Sequence, residues 1–281
     1  MNSQTKDSFN WELFLSDKPR CLMGIMNLSP ESFLGDGILQ PRTSNSEDYD
    51  LQHFKNSVES MYRNFDSKKI SIVDVGAAST SPSSFPVTRD EEMRRINYYL
   101  DNTDINYLRK FPHSVDSYRF EAVQQYINFD SNSNRNRSFL IVNDISGTRD
   151  TKMIMLLKKY KLGLILTHRH PESNRLHDKF QYDDAIEEVK EHLYEQVKFL
   201  INQGFSRSSI AIDPGLGFGK QPKDSYYILD NIDKLYFGFP IVVGFSNKQF
   251  SLEFNMTNSE LINHAFSKKV SIVRTHLKMQ E

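Results

Sequence analysis

A single cysteine, Cys21, stands in 281 residues, so no internal disulfide can staple this chain, and a reducing cytosol suits it. Charge of one sign is also missing. Thirty-five Lys and Arg face thirty-six Asp and Glu, a net charge of −1. That balance leaves no basic footprint for nucleic acid or for an anionic membrane surface. No apolar run approaches the roughly 18 residues that a membrane span needs. The first seventeen residues are polar and show no hydrophobic core of a secretory signal. Two phosphate loops are absent as well. The glycines at 215, 217 and 219 miss the G-x-G-x-x-G spacing, and Pro214 and Gln221 stand where a Walker loop needs Gly and Ser/Thr.

What is present is alternation. Short apolar runs of the kind buried on both faces of a parallel sheet occur at Cys21–Asn27, Lys69–Gly76, His113–Ser117, 139–144, Leu162–His168, Ile210–Asp213, 240–246 and Val270–His276. Between them lie amphipathic helical stripes, such as Leu51, Phe54, Val58, Met61 and Phe65. Thr88 with Glu91, and Thr257 with Glu260, read as capping boxes. Eight strands alternating with seven helices favour a closed (β/α)8 TIM barrel over residues 21–281, with an open doubly wound sheet as the alternative. Residues 1–20 form a lead-in whose Trp11, Leu13 and Phe14 can cover one end of a core. Residues 130–137 are polar and biased in composition, and read as a solvated loop.

The strand ends carry the chemistry. In order they present Asn27, Asp74, Asp116, Asn143 with Asp144, His168, Asp213, Ser246 with Lys248, and Arg274 with His276. Each alone reads as a turn or cap residue. Eight in succession converge on one face of a barrel, where such enzymes keep their active sites. The set suits a ligand in two parts: a planar heterocycle whose N–H groups Asp and Asn accept, and a polyanion held by Lys, Arg and His. An Asn or Asp beside that anion suits Mg²⁺. His168 and His170 spell H-x-H without a third ligand nearby in sequence, and His177 and His192 have nothing to mark them as ligands.

The motifs M-G-I-M-N-L-S-P-E-S-F (23–33), V-D-V-G (73–76), S-V-D-S-Y (114–118), V-N-D-I-S-G (142–147), Y-D-D (182–184), D-P-G-L-G-F-G-K (213–220), G-F-S-N-K (244–248) and V-R-T-H (273–276) follow one another in an order that resembles the dihydropteroate synthase family of pterin-binding barrels. The resemblance spans nearly the whole chain. It implies condensation of 6-hydroxymethyl-7,8-dihydropterin diphosphate with 4-aminobenzoate, giving dihydropteroate and diphosphate. It implies a pterin held by Asp116, Asn143, Asp213, Lys248 and Arg274, and a diphosphate gripped by Arg274 and His276. Asn27 would contact the diphosphate and coordinate Mg²⁺. Thr80, Pro82, Ser246 and Lys248 would border the aminobenzoate. Asp116, Lys248, Arg274 and His276 would carry the catalysis. A cytoplasmic homodimer is the implied state.

The family pattern is departed from at three places. Ala77–Pro82 reads A-A-S-T-S-P where the family has G-E-S-T-R-P, so Ala78 replaces a glutamate and Ser81 an arginine. Asn247 replaces the arginine of S-R-K. Family members also continue into an eighth helix beyond the position of Glu281, so this helix is expected to be short or missing. The strip of strands seven and eight it would cover then falls to the segment around Trp11 or to a dimer partner. Lys220, Arg149 and Arg169 are the candidate substitutes for the lost cations. The loop after Ala77 is similar to that of sulfonamide-resistant synthases, which implies weak binding of aminobenzoate analogues. Two rival readings are a catalytically impaired pterin-binding paralogue and a pterin-dependent methyltransferase barrel. The intact first loop and the Arg274/His276 pair favour a diphosphate substrate over the second.

Overall fold

A computed structural model describes residues 8–30, 37–43, 48–78, 87–132, 140–173, 180–244 and 255–277. Eight parallel strands close on themselves: β1 (Cys21–Asn27), β2 (Ile72–Gly76), β3 (His113–Asp116), β4 (Leu140–Asp144), β5 (Gly163–Thr167), β6 (Ile210–Asp213), β7 (Ile241–Gly244) and β8 (Val270–Thr275), with β8 paired back to β1. The open-sheet alternative is thereby excluded. Several strands start later than the apolar runs suggest. Lys69 and Lys161 adopt left-handed backbone (φ 55° each) and close the preceding helices, so β2 and β5 begin beyond them.

Around the barrel lie α2 (Leu51–Ser67), α3 (Arg89–Asn102), α4 (Ile105–Lys110), α5 (Phe120–Asn132), α6 (Thr151–Tyr160), α7 (Ala185–Asn202), α8 (Pro222–Asp230) and α9 (Asn258–Ser267). Their starts are fixed by side-chain oxygens that accept otherwise unpaired first-turn N–H groups. Asp50, Asp150 and Asp184 do this for α2, α6 and α7. The full reciprocal box forms at Thr257 and Glu260. At α3 Thr88 accepts from the Glu91 N–H, while the Glu91 carboxylate is taken by Tyr49, Arg94 and Arg95.

Strand side chains alternate, so each strand turns one set into the barrel and the other onto the helices. The outward set (Val73, Val75, Val142, Leu164, Leu166, Ile210, Ile212, Val243 and Val273 among others) joins the main core with the helices. The inward set forms a separate lower layer: Cys21, Met23, Ile72, Ile141, Ile165, Ala211, Val242 and Ile272. Below it sits the lead-in. Helix α1 (Trp11–Leu15) presses Trp11, at 0% exposure, into the base, where its indole N–H reaches the carbonyls of Ser209 (3.1 Å) and Leu164 (3.3 Å). Phe9 packs edge-on to it with ring centroids 4.8 Å apart. The segment therefore plugs the base of the barrel and does not cover the flank of β7 and β8. Leu13, expected to join the cover, points to solvent, 72% exposed.

Candidate active site

Two residues further along β2, β4, β6 and β8, the same inward face turns polar. Above Ile72 stands Asp74, above Ile141 Asn143, above Ala211 Asp213, and above Ile272 Arg274. The alternation that places the apolar lower layer therefore also places these four, with Ser114, Asp116 and Thr167, inside the mouth. Pairing aligns the first strands: Asn27 is opposite Gly76, Gly76 opposite Asp116, and Asp116 opposite Asn143. At the inward top positions of β2 and β7 stand Gly76 and Gly244, so Asp116 and Arg274 are not crowded from those strands.

Arg274 organises the layer. Its Nε donates to Asp74 Oδ2 at 2.6 Å and its Nη2 to Asp116 Oδ2, and Asn143 Nδ2 donates to the same Asp74 oxygen at 3.3 Å. Two carboxylates thus share one guanidinium. Burial raises the Asp116 carboxyl from 3.8 to about 7; Arg274 opposes the rise, and Asp74 adds to it. Burial works against the charge of Arg274, but Asp116 and Asp74 prevail and hold its pKa above the ordinary value. The other oxygen of Asp74, Oδ1, is buried and has no hydrogen-bond partner among the described residues. Ser114 Oγ and Thr167 Oγ1 are in the same condition.

Asp213 ends β6 and is buried. Its Oδ1 accepts the Gly215 N–H at 2.7 Å, closing the turn that Pro214 and Gly215 open. Gly215 has φ +65°, and an added Cβ would stand 2.5 Å from the His168 carbonyl oxygen, so this turn requires glycine. Burial lifts Asp213 from 3.8 to about 6, opposed by the Gly215 N–H, Arg274 and Lys220. Asn27 accepts the Ser29 N–H through Oδ1 at 3.0 Å. His276, just past β8, is half-buried.

Several expectations change. Asp144 is buried but lies on the outward-facing parity of β4, where it accepts the Ser146 N–H at 2.7 Å; it belongs to a turn and not to the mouth. The proposed substitute cations are engaged elsewhere. Lys220 is buried against His168 and two carbonyls, Arg169 holds Ser173, and Arg149 lies against the Gln196 side-chain amide. Arg274, expected at the ring and the diphosphate, also pairs with Asp74 and Asp116. Asp74 stands at a strand end, and the family resemblance implies no ligand role for it. Its neighbours V-D-V-G look like any strand end, and only depth distinguishes it. Thr80, Pro82, Ser246 and Lys248, with Ser81 and Asn247, lie outside the described residues.

A closed eight-stranded barrel that gathers carboxylates, an amide and one guanidinium at the C-terminal ends of its strands has the build of a barrel enzyme with its site at that face. A narrower assignment follows from comparison: the model of the pterin binding enzyme family matches residues 23–276, and the chain belongs to that family. It is 28% identical over 239 residues to a dihydropteroate synthase of Bacillus subtilis, covering 84% of this chain and 73% of the relative. The structure of dihydropteroate synthase from Anaplasma phagocytophilum with bound 6-hydroxymethylpterin-monophosphate superposes with a TM-score of 0.70 at 25% identity, covering 92% of this chain and 94% of that one. The synthase of Clostridium difficile, solved in the presence of pteroic acid, has the same fold (TM-score 0.72, 24% identity, 92% and 91% coverage). These names say nothing of sulfonamide resistance, and the loop that suggested it lies largely outside the described residues. No described helix is long and apolar enough to cross a membrane.

Proposed function

We propose that this chain is a dihydropteroate synthase: it joins 6-hydroxymethyl-7,8-dihydropterin diphosphate to 4-aminobenzoate and releases diphosphate. The observation that carries the reading is the charge of the mouth. Three carboxylates (Asp74, Asp116 and Asp213) face one guanidinium, with Asn143 among them. An aminopyrimidine edge offers parallel N–H groups to such oxygens, and Asp213 and Asn143 are the acceptors we assign to it. The excess negative charge has a second use. When the C–O bond to the leaving diphosphate breaks, the pterin methylene becomes cationic, and Asp116 and Asp74 stabilise that charge within a buried site. The arylamine nitrogen then attacks the methylene carbon and gives up a proton. No enzyme nucleophile is needed, and buried Cys21 stays in the lower core.

The same carboxylates would repel a diphosphate, which places that group at the rim. We assign His276 and Asn27 there. Arg274 bridges the two zones: two of its donors hold Asp74 and Asp116, and the remainder of the guanidinium is available to the ring and its phosphates. Lys248 is the further ring contact, and Thr80, Pro82, Ser246 and Lys248 the border of the aminobenzoate site. Mg²⁺ suits this arrangement. It binds through one or two protein oxygens together with waters and phosphates, and the Asn27 amide oxygen, placed by the Ser29 N–H, is one such oxygen. Asn27 would hold it against the diphosphate, and the bound ion would neutralise charge on the leaving oxygens. The assembly we propose is a cytosolic homodimer through α7 and α8, where Tyr194 and Tyr227 are each more than 40% exposed.

A coupled assay of diphosphate release, run with and without 4-aminobenzoate in Mg²⁺, tests the reaction. Release should require both substrates and yield dihydropteroate in equal amount. Pterin binding with no release would identify an impaired paralogue instead.

A further inference from the structure

Behind the mouth, between the 213–220 loop and α7, lies a cluster that the proposed reaction does not use. Lys220 and His168 are 3% and 2% exposed, and no carboxylate hydrogen-bonds to Lys220 among the described residues. The Lys220 Nζ reaches three partners: His168 Nδ1 at 2.9 Å, the Gly215 carbonyl at 3.1 Å and the Phe218 carbonyl at 3.2 Å. On its far side His168 Nε2 is 3.2 Å from Nδ1 of His192, with the two rings stacked at 11°. His168 also donates its backbone N–H to the Asp213 carbonyl at 2.8 Å.

We propose that Lys220, His168 and His192 form a positioning relay with a fixed proton order, which holds the loop after β6 so that the Asp213 carboxylate is presented at the mouth. The order follows from counting donors. As an ammonium, Lys220 gives its three N–H groups to the Gly215 and Phe218 carbonyls and to His168 Nδ1; as a neutral amine it would give two to the carbonyls and take the Nδ1–H of His168 on its lone pair, so the order belongs to the charged form. His168 Nδ1 then accepts, so its proton sits on Nε2 and is donated to His192 Nδ1. An imidazolium at His168 would aim an N–H at the ammonium.

The surrounding charges agree with a neutral His168. Burial lowers its pKa, and Lys220, His192 and His170 lower it further. Burial also brings Lys220 down to about 7, against Asp213 and Asp224, which favour its charge. The Tyr182 ring faces Lys220 at 5.9 Å. His192 is lowered by burial and then by His170 and Arg149, with Glu188 and Glu191 opposing. His170, lowered first by burial, has Glu172 and Glu188 against that shift and Lys220 with it.

The geometric consequence is a loop tied at both ends. Asp213 and Gly215 form its start, Lys220 its end, and the Lys220 side chain folds back to bond the Gly215 carbonyl next to Asp213. Presentation of Asp213 to a pterin rests on the functional reading above; the proton order does not.

The experiment has two arms on the full-length chain. In the first, long-range ¹H–¹⁵N spectra of ¹⁵N-histidine protein report the tautomers between about pH 5 and 6.5, below the Lys220 value of about 7, where its amine is charged. His168 should be the Nε2–H form and should not titrate; an Nδ1–H form, or an imidazolium in that range, overturns the relay. In the second, pterin diphosphate binding and steady-state constants are measured for K220M, H168A and H168N. The asparagine keeps an acceptor near the place of Nδ1. K220M and H168A should weaken pterin binding about tenfold, a loss of one charge-assisted hydrogen bond, with the KM for 4-aminobenzoate within about twofold of wild type. H168N should recover most of the loss. Wild-type pterin affinity in K220M and H168A, or a folded H168N as weak as H168A, overturns the positioning role. Absence of pterin binding by the wild-type chain would sink the functional reading, and the tautomer result would still judge the proton order.

Discussion

Asp213 is asked to be charged for its ligand and is penalised for being charged by its surroundings. Its carboxyl is raised from 3.8 to about 6, so the folded state favours the neutral form. The sign for stability is then set. The contribution is fully present below about pH 4 and is lost as pH rises through about 6. Asp213→Asn keeps an oxygen for the Gly215 N–H and removes the charge. Its melting temperature should exceed that of wild type at pH 8 and match it near pH 4, by differential scanning fluorimetry. For the ligand the sign reverses, because the N–H edge of a pterin wants the carboxylate. Wild-type affinity should fall as pH drops through about 6, and the asparagine should bind about tenfold or more weakly at pH 8 with that pH limb gone. A pH-independent wild-type affinity would remove Asp213 from the ring contacts. This conflict was invisible in D-P-G-L-G-F-G-K, since the residues spell a turn and a carboxylate but not their burial. Lys220 shows the same limit. As a letter it is a spare cation; in the fold its charge is enclosed by His168 and two carbonyls.

Among the elements, the lead-in shows how far pattern carries. Trp11, Leu13 and Phe14 before the first strand are enough to expect a cover for the core. Which end they cover depends on the indole N–H reaching Ser209 and Leu164, positions 198 and 153 residues away. Trp11→Ala should destabilise the chain by about 3–5 kcal/mol, the cost of emptying a fully buried aromatic site, read as a lower urea midpoint. Leu13→Glu, on the exposed face of the same helix, should leave the midpoint unchanged. Equal midpoints for W11A and wild type would show that the base closes without the plug. The strands were more legible than their limits, because burial on both faces writes an apolar run, while the left-handed turns at Lys69 and Lys161 that delay β2 and β5 leave no letter as telling as glycine.

For the whole molecule, the question of assembly turns on α7 and α8. Tyr194 on α7 and Tyr227 on α8 are exposed aromatics on neighbouring helices, and aromatic side chains are enriched where subunits meet. Sedimentation velocity should give a species of about twice the 32.8 kDa chain mass, and Tyr194→Glu should shift it toward the monomer. A wild-type monomer at micromolar concentration would end the homodimer proposal.

The order of strands and helices, the count of eight and the polar residue at each strand end were set by the amino-acid sequence, because a two-residue alternation and a helical stripe are local and need no partner to be read. The same alternation fixes that Asp74, Asn143, Asp213 and Arg274 share the inward face once any one of them does. Only closure of the barrel decided who meets whom. Arg274 reaches Asp74 across 200 residues of chain and Asp116 across 158. Depth in a low-dielectric interior, and not residue type, made Asp213 a strained carboxylate and turned Lys220 inward, and that depth exists only when the eighth strand lies against the first.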